Sequence, residues 1–416
     1  MADIKTLVNK LLDTPPRRVV RALSERFGRK SAPPPESVRV RGFDLQIASK
    51  PLAMRVETSF RRDDGSTIPV FGEYRYAIKP AWRNIPLLHG LAELASVGAL
   101  RPADTDFLAH ARGHRTLTRS LDEIDSVIQP IIHANRDLFL PETIQPGAYP
   151  TLKTRVRSSR GAIKTHVRFY SSILDTLALA GVYAPRPQPR AIEIGMGQGT
   201  ASVALAHLGF QTTGIDNNYG GAMDADTALA AAIAAAEKVE LQFEQADITA
   251  RTPFHDGAFD LVISNSVLEH IHDLGAALRE IARLVAPGGV IIQRYHPYFG
   301  PSGGHAFGTL DAPWAHVRLS EAETHRYLDE LRPHESPLAK PWVEQALTRT
   351  WPITRVQQAL IDSGFEIFGW SETPASENLL RGLDGGVISD ALRRNANIAL
   401  TDLVTDTVTF VCRRTQ

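Results

Sequence analysis

Three closely spaced glycines follow a short apolar segment in the middle of the chain. Residues 191–194 lead directly into Gly195, Gly197 and Gly199 within the string EIGMGQGT. Glycines at such a turn let the backbone approach a ligand closely, and the helix that follows directs its N-terminus at that ligand. The pattern predicts a cofactor site, although nicotinamide, flavin and sulfonium cofactors all use turns of this kind.

The charge and the spacing around these glycines separate the cofactor classes. Glu193 stands two residues before Gly195, where a carboxylate would repel a pyrophosphate and attract a cation. A dinucleotide fingerprint would place its third small residue at Thr200 rather than at Gly199. Both observations favour a cationic cofactor and leave a nicotinamide-dependent oxidoreductase as the less favoured alternative.

Two further acidic residues follow predicted strands. Asp216 ends the strand predicted for residues 211–215, and a carboxylate there can accept hydrogen bonds from both hydroxyls of a ribose. Asp247 follows the strand predicted for residues 241–245, where it can accept from an adenine amino group. Its alternative role is to cap the next segment.

Five strings in a fixed order resemble the motifs of class I S-adenosylmethionine-dependent methyltransferases: EIGMGQGT, GIDNN, QADI, FDLVISNSVLEHI and APGGVII. They cover about residues 190–294, and a helix at 351–364 with strands at 365–370 and 405–413 extends the likeness. The resemblance implies an α/β fold with a Rossmann-like core. Its seven-stranded sheet would be mostly parallel with an antiparallel last strand. S-adenosylmethionine would be the cofactor and S-adenosylhomocysteine the product.

The resemblance also implies roles for individual positions. The residues that would bind the cofactor are Glu193, Gly195, Met196, Gly197, Gly199, Asp216, Asn217, Asp247, Ile248, Asn265 and Ser266. Among them the glycines would line the methionine part, and Asp216 would hold the ribose. Asp247 and Ile248 would hold the adenine, while Asn265 and Ser266 would lie below the sulfonium end. For Glu193, the alternative is that it only orients the glycine turn.

The segment 295–350 is predicted to be a lid-like insertion after the fifth strand. Ligands bind outside the carboxyl ends of parallel strands, so this segment should face the transferred methyl group. It is rich in aromatic residues, histidines and glycines. The residues predicted to contact the substrate are Tyr295, Tyr298, Trp314 and His316.

Two histidines of this insertion are candidate catalytic bases. The sulfonium methyl group is already activated, so the protein mainly has to align the reacting groups. A hydroxyl acceptor also needs a base near pH 7, and histidine suits that role. His296 is the first candidate and His305 the second, against the alternative of a histidine bonded to a loop carbonyl. A metal site made by these two residues with Asp311 and His316 is disfavoured, and no metal is predicted.

The length of 416 residues predicts more than one domain. Residues 1–150 are assigned to a smaller α+β N-terminal domain for substrate binding or oligomerisation, and residues 151–416 to the methyltransferase domain. Alternating apolar residues around the turn RRDDGS, at 61–66, predict a β-hairpin. Residues 141–165, rich in Pro, Gly, Ser and Arg, are predicted to be a loop.

Composition narrows the setting and the partners. The 46 Lys and Arg balance the 46 Asp and Glu, which argues against a nucleic-acid partner. The single cysteine, Cys412, excludes a disulfide framework and favours a reducing cytoplasm. No apolar run approaches a membrane span. Residues 1–41 carry ten Lys and Arg against four Asp and Glu, with helical spacing of apolar residues up to Phe27. A basic amphipathic helix of this kind could lie on an anionic membrane, but docking on its own domain or on a second copy, as in a homodimer, is favoured.

The predicted function is methyl transfer to a hydroxyl of a small or medium-sized organic acceptor, as in bacterial natural-product biosynthesis. The string SNSV at 264–267 does not resemble the Asn/Asp-Pro-Pro-aromatic motif of methyltransferases that act on exocyclic amino groups of bases. N- or C-methylation, and a peptide or saccharide acceptor, stay open. A non-catalytic binding module is the least favoured alternative, because the glycine turn and both cofactor acids are intact.

Overall fold

The computed structural model describes residues 37–40, 43–46, 56, 58–71, 152–184, 186–217, 224–301, 303, 310, 312–331, 340 and 351–415. Two antiparallel hairpins lie near the start of the chain. They are β1 (Ser37–Val40) with β2 (Phe43–Gln46), and β3 (Thr58–Arg61) with β4 (Thr67–Val70). The β3–β4 turn contains Gly65 with a positive φ of 80°, so the hairpin predicted around the Asp-Gly turn is confirmed.

The strands of the main sheet are β5 (Arg190–Ile194), β6 (Gln211–Asp216), β7 (Leu241–Gln245), β8 (Phe259–Asn265), β9 (Val285–Tyr295), β10 (Phe365–Pro374) and β11 (Thr405–Arg414). Their order in space is β10-β11-β9-β8-β5-β6-β7, and β11 runs antiparallel to both of its neighbours. The predicted fold of the core, a mostly parallel seven-stranded sheet with an antiparallel last strand, is therefore confirmed.

The helices are α1 (Leu152–Leu179), α2 (Thr200–His207), α3 (Asp224–Glu237), α4 (Leu274–Leu284), α5 (Ala315–Arg318), α6 (Glu321–Leu331), α7 (Ile353–Asp362), α8 (Glu377–Leu380), α9 (Gly385–Arg394) and α10 (Leu400–Val404). A short 3₁₀ helix, Leu268–His270, follows β8. Within the described ranges, no helix combines the length and apolar character of a membrane span.

The central strand β8 is buried along most of its length because helices cover both faces of the sheet. Along β8, Leu261 and Ile263 pack with α1 and α2, whereas Val262 packs on the other face with α4 and α7. Each of these side chains is at most 1% exposed. Burial of an aliphatic side chain of this size stabilises the fold by roughly 1.5–3 kcal/mol.

The loop predicted for residues 141–165 is wrong from residue 152 onward, where α1 begins. Ser, Arg and Gly in this stretch suggested a loop, but Val156, Ile163 and Val167 recur at helical spacing. These three side chains pack against α2 and α3. Tertiary burial of this apolar stripe outweighs the weak helical propensity of its neighbours.

A second insertion, which the sequence pattern did not predict, connects β10 to β11. It carries α8, α9 and α10 and packs on the first insertion through a cluster that includes Tyr298, Trp314 and Leu403. The β3–β4 hairpin packs on the same region, because Phe60 and Ile68 join Tyr327 of α6 in one buried cluster. The division into residues 1–150 and 151–416 stays a prediction.

Candidate cofactor and active site

The glycine turn lies at the carboxyl end of β5. Gly195, Gly197 and Gly199 have positive φ values of 65°, 46° and 70°. A Cβ on Gly195 would overlap the side chain of Val267, whereas a Cβ on Gly197 would have no atom within 4 Å. Gly195 is therefore required by packing against the loop after β8, and Gly197 borders open space.

Met196 points away from that open space. It is 4% exposed and lies directly against Gly214 of β6, where a Cβ would overlap its side chain. Its backbone N–H donates to the carbonyl of Ile215 at 3.0 Å. Met196 thus fixes the turn to β6, and only its backbone borders the predicted cofactor position.

Glu193 is buried beneath the turn. It accepts hydrogen bonds from the backbone N–H of Ser202 at 2.7 Å and from its hydroxyl at 2.5 Å. Burial raises the pKa of Glu193 to about 7, against the opposing effect of these bonds. The carboxyl group therefore orients α2 relative to the glycine turn, which was its alternative role.

Asp216 and Asp247 differ in burial and in their hydrogen-bond partners. Asp216 is half-buried at the end of β6 and accepts from the N–H of Gly197 at 3.2 Å, so it lies next to the turn. Asp247 is exposed, and its Oδ1 accepts from the N–H of Thr249 at 2.8 Å and from its hydroxyl at 2.7 Å. This is the capping geometry that was the alternative for Asp247. Asn217 is exposed and Ile248 is buried.

Asn265 connects the end of β8 to α1. Its Nδ2 donates to the Tyr170 hydroxyl at 2.8 Å. Ser266 follows with a left-handed φ of 56°, and its N–H donates to the carbonyl of Arg294 at 2.8 Å. Sequence reasoning missed Tyr170 because α1 had been read as a loop up to residue 165. The helical spacing of Val167 and Tyr170 was the signal that could have revealed it.

Three of the predicted substrate residues belong to the packed interior. Tyr298 donates its hydroxyl to the carbonyl of His316 at 2.7 Å, and His316 Nε2 lies 3.0 Å from the Tyr298 carbonyl and 3.1 Å from that of Gly300. Burial lowers the pKa of His316 to about 4. Trp314 is 1% exposed and donates to the Leu403 carbonyl at 3.2 Å. This geometry supports a packing role for all three.

The remaining predicted residues lie near the end of β9. Tyr295 is buried edge-to-face against Phe410. His296 is half-buried, and its Nδ1 lies 2.8 Å from the carbonyl of Asp406. Its N–H donates to Glu269 at 3.4 Å, and burial raises the pKa of Glu269 to about 8. His305 lies outside the described residues.

An ion network ties the N-terminal hairpin to the two insertions. Asp390 of α9 accepts from Arg62 at 2.6 Å and from Arg318 at 2.8 Å. The side chains of these three residues are at most 10% exposed. Asp64 in the hairpin turn pairs with Arg394 at 2.7 Å. The network thus joins chain segments more than 300 residues apart.

The residues at the carboxyl edge fit a sulfonium cofactor. Gly197 borders open space, the carboxylate of Asp216 lies next to it, and the buried Glu193 lies beneath the turn. Residues 191–217 contain no Lys or Arg that could offset a pyrophosphate. In the part of the chain that the structure describes, no group of three His, Cys, Asp or Glu side chains is placed to hold a metal ion.

Comparisons with known proteins identify the family. A family model described as a methyltransferase domain matches residues 192–293. A ubiquinone biosynthesis O-methyltransferase of Caulobacter sp. strain K31 is 36% identical over 103 residues, which are 25% of this chain and 39% of that protein. An uncharacterised methyltransferase of Mycobacterium leprae is 30% identical over 151 residues, which are 34% of this chain and 52% of that protein. The chain thus spans about half or less of the length of these two relatives.

Solved structures resemble part of this chain at low sequence identity. Geranyl diphosphate C-methyltransferase from Streptomyces coelicolor A3(2) is 17% identical, with a TM-score of 0.35 over 59% of this chain and 80% of that one. The matched family and the observed strand order agree with each other. The chain therefore carries a class I S-adenosylmethionine-dependent methyltransferase domain.

Proposed function

We propose that this protein transfers the methyl group of S-adenosylmethionine to a hydroxyl group of a small or medium-sized organic acceptor. The observation that carries the proposal is the glycine turn at the carboxyl end of β5, with Asp216 beside it and the buried Glu193 beneath it. When bound, the cofactor supplies an already activated methyl group. The chain then has to bind it, exclude water and align the acceptor.

Each cofactor residue has a role that its position supports. Asp216, half-buried at the end of β6, would accept from the ribose hydroxyls, with Asn217 beside it. Ile248 would pack on the adenine from its buried position after β7, and Asp247 would offer the adenine its second carboxylate oxygen. Asn265 and Ser266 would lie nearest the methyl group. The buried Glu193 would act on the cofactor through the turn that it orients.

Transfer to oxygen is supported by the names of relatives that match this domain, two of which are ubiquinone biosynthesis O-methyltransferases of Caulobacter. His296 stays a candidate base. A carbonyl only accepts, so the Nδ1 beside Asp406 carries the proton, and in the neutral ring Nε2 is the basic nitrogen. N- and C-methylation and peptide or saccharide acceptors are the alternatives.

The setting of the reaction is also part of the proposal. The acceptor is a small molecule rather than a nucleic acid, which the balanced charge of the chain supports. A reducing cytoplasm is supported by the single cysteine. Homodimerisation through the basic residues 1–41 stays a prediction, because most of that segment lies outside the described residues.

Calorimetric titration of the full chain with S-adenosylhomocysteine tests the cofactor assignment. We expect binding with Asp216→Ala weakened about 10- to 100-fold, since that variant loses charge-assisted hydrogen bonds. Glu240→Ala, an exposed acid at the opposite edge of the sheet, is the matched control and should bind like wild type. Binding of NAD in place of S-adenosylhomocysteine would overturn the proposal.

A further inference from the structure

Helix α1 reaches the carboxyl edge of the sheet at Tyr170. The ring of Tyr170 is fully buried, and its hydroxyl accepts the hydrogen bond of Asn265 at the end of β8. Burial, together with the charge of Glu193, raises the pKa of this phenol above its usual value, so it stays neutral. A side chain one turn before Tyr170 is therefore held next to the residues predicted to lie nearest the methyl group.

That side chain is His166. Its ring lies nearly parallel to the Tyr170 ring, at 18° and with 6.0 Å between centroids. The residue is half-buried. Within the described ranges neither ring nitrogen has a hydrogen bond. Burial, and after it the nearby charge of Arg294, lowers the pKa of His166, so the imidazole is neutral at pH 7 and able to accept a proton.

Arg294 at the end of β9 pairs with Asn265 in the β8–β9 register, and its carbonyl accepts from the N–H of Ser266 at 2.8 Å. Arg294 therefore lies at the same edge as Tyr170. Its side chain is exposed, and among the residues that the structure describes it forms no ion pair. Its charge acts on His166, on Tyr170 and on the buried Glu269. Among the described residues, the charged group that acts on His166 is Arg294 of β9, and the titratable ring against it is Tyr170 of α1, on which the charge of Glu193 also acts.

His316 is less suited to accept a proton, because its Nε2 lies against two carbonyls in the buried interior. His296, whose Nδ1 lies beside the Asp406 carbonyl, stays the candidate base of the proposed function. His166 combines a neutral ring, partial exposure and a neighbouring cation. A base next to a cation suits a hydroxyl whose anion is moderately stable, because the cation stabilises the oxyanion while the base removes its proton.

We infer that His166 and Arg294 form the acceptor site for an acidic hydroxyl group, of the phenol or enol class, in which His166 takes the proton and Arg294 binds the resulting oxyanion. The inference rests on the proposed function. The O–H bond breaks, its electron pair stays on oxygen, and its proton moves to a ring nitrogen of His166. The oxygen–methyl bond then forms as the sulfur–methyl bond breaks, and that electron pair returns to sulfur. His166 later releases the proton to solvent.

para-Nitrophenol is a suitable probe because its ionised form absorbs visible light and the neutral form does not. We would titrate the probe into the full chain saturated with S-adenosylhomocysteine and record its ionised fraction against pH. In wild type the midpoint should fall by about one unit, a tenfold preference for the ionised form. Arg294→Gln and His166→Gln should each return the midpoint to its value in buffer, and Arg294→Lys should retain part of the shift.

Arg279→Gln removes an exposed arginine of α4 and His255→Gln an exposed histidine before β8, so both should behave like wild type. Thermal melts show whether the His166 and Arg294 variants are folded, and the exposed Arg294 is the safer of the two. Failure of para-nitrophenol to bind, or equal ionisation in wild type and Arg294→Gln, overturns the inference. Failure of wild type to bind S-adenosylhomocysteine counts instead against the proposed function.

Discussion

The two halves of the carboxyl edge are built in different ways. The half proposed to bind most of the cofactor, called the cofactor half, consists of β5, the glycine turn, α2 and β6, all within residues 190–216. The half proposed to bind the acceptor, called the acceptor half, joins α1, the ends of β8 and β9, both insertions and the β3–β4 hairpin. The cofactor half therefore depends on local backbone conformation, and the acceptor half on contacts between distant segments.

The energetic consequences differ accordingly. A substitution in the glycine turn acts mainly on residues close to the turn. In the acceptor half, a single ion network holds the hairpin, α5 and α9 together, so one substitution there acts on several segments. The contrast predicts that stability and cofactor affinity can be changed independently.

The largest effect is expected from Asp390→Ala. This substitution leaves Arg62 and Arg318 without their shared carboxylate, and both guanidinium groups are buried. Breaking a buried pair in this way should lower the free energy of unfolding by about 3–5 kcal/mol, measured by urea denaturation. Asp362→Ala, on α7, removes an exposed acid and is the control. A parallel loss of affinity for S-adenosylhomocysteine would show that the two halves are not separable.

A smaller effect, confined to the cofactor half, is expected from Gly195→Ala. The residue has a positive φ of 65°, and its new methyl group would overlap Val267. Strain and displacement of the loop after β8 should weaken S-adenosylhomocysteine binding by about 100-fold, or about 2.7 kcal/mol. Calorimetry measures the loss of affinity. An unchanged affinity would show that Gly195 is not part of the cofactor site.

The limits of the strands on the cofactor side were predicted closely from the sequence, for a physical reason. A strand, a positive-φ glycine turn and a helix occupy consecutive residues, so spacing alone reveals them. The third strand was predicted with its observed limits, Leu241–Gln245. What spacing could not show was the direction of Glu193, which binds Ser202 nine residues later.

The acceptor half was predicted poorly because its partners are far apart in the chain. The aromatic residues of the first insertion were predicted to contact the substrate. Trp314 is instead buried and donates to the carbonyl of Leu403 in the second insertion, 89 residues away. Nothing local to either residue signals that contact. Likewise the setting of His166 depends on the long-range hydrogen bond between Asn265 and its helical neighbour Tyr170.

Two buried acids, one in each half, should make stability fall as pH rises. Their raised pKa values mean that folded Glu193 and Glu269 hold protons which the unfolded chain loses near pH 4.5. This stability is present below that pH and is lost as pH rises to about 7 for Glu193 and about 8 for Glu269. Each acid should contribute a slope of about 1.4 kcal/mol per pH unit inside its window.

The pH windows tell the two acids apart. Between pH 7 and 8 the slope should vanish in Glu269→Gln and persist in Glu193→Gln, because only Glu269 still titrates there. Urea unfolding at several pH values measures it. A slope that persists in Glu269→Gln would mean that another group titrates between pH 7 and 8. Glu366→Gln, which removes a half-buried surface acid, is the control.

The smallest effect is expected from Gly197→Ala. This variant distinguishes the cost of backbone strain from the loss of the space into which the cofactor is proposed to bind. With φ at 46° and no atom near the new methyl group, the free protein should lose only about 1 kcal/mol, the cost of a left-handed alanine. If the cofactor fills that space, the same methyl group also displaces it, so affinity for S-adenosylhomocysteine should fall in addition. The unfolding free energy measured with and without S-adenosylhomocysteine reports both quantities, because a ligand stabilises the folded state by its own binding. Equal losses of unfolding free energy in the two conditions would mean that the cofactor lies elsewhere along the edge. The hydrogen bond from the Gly197 N–H to Asp216, at 3.2 Å, would then only stabilise the turn.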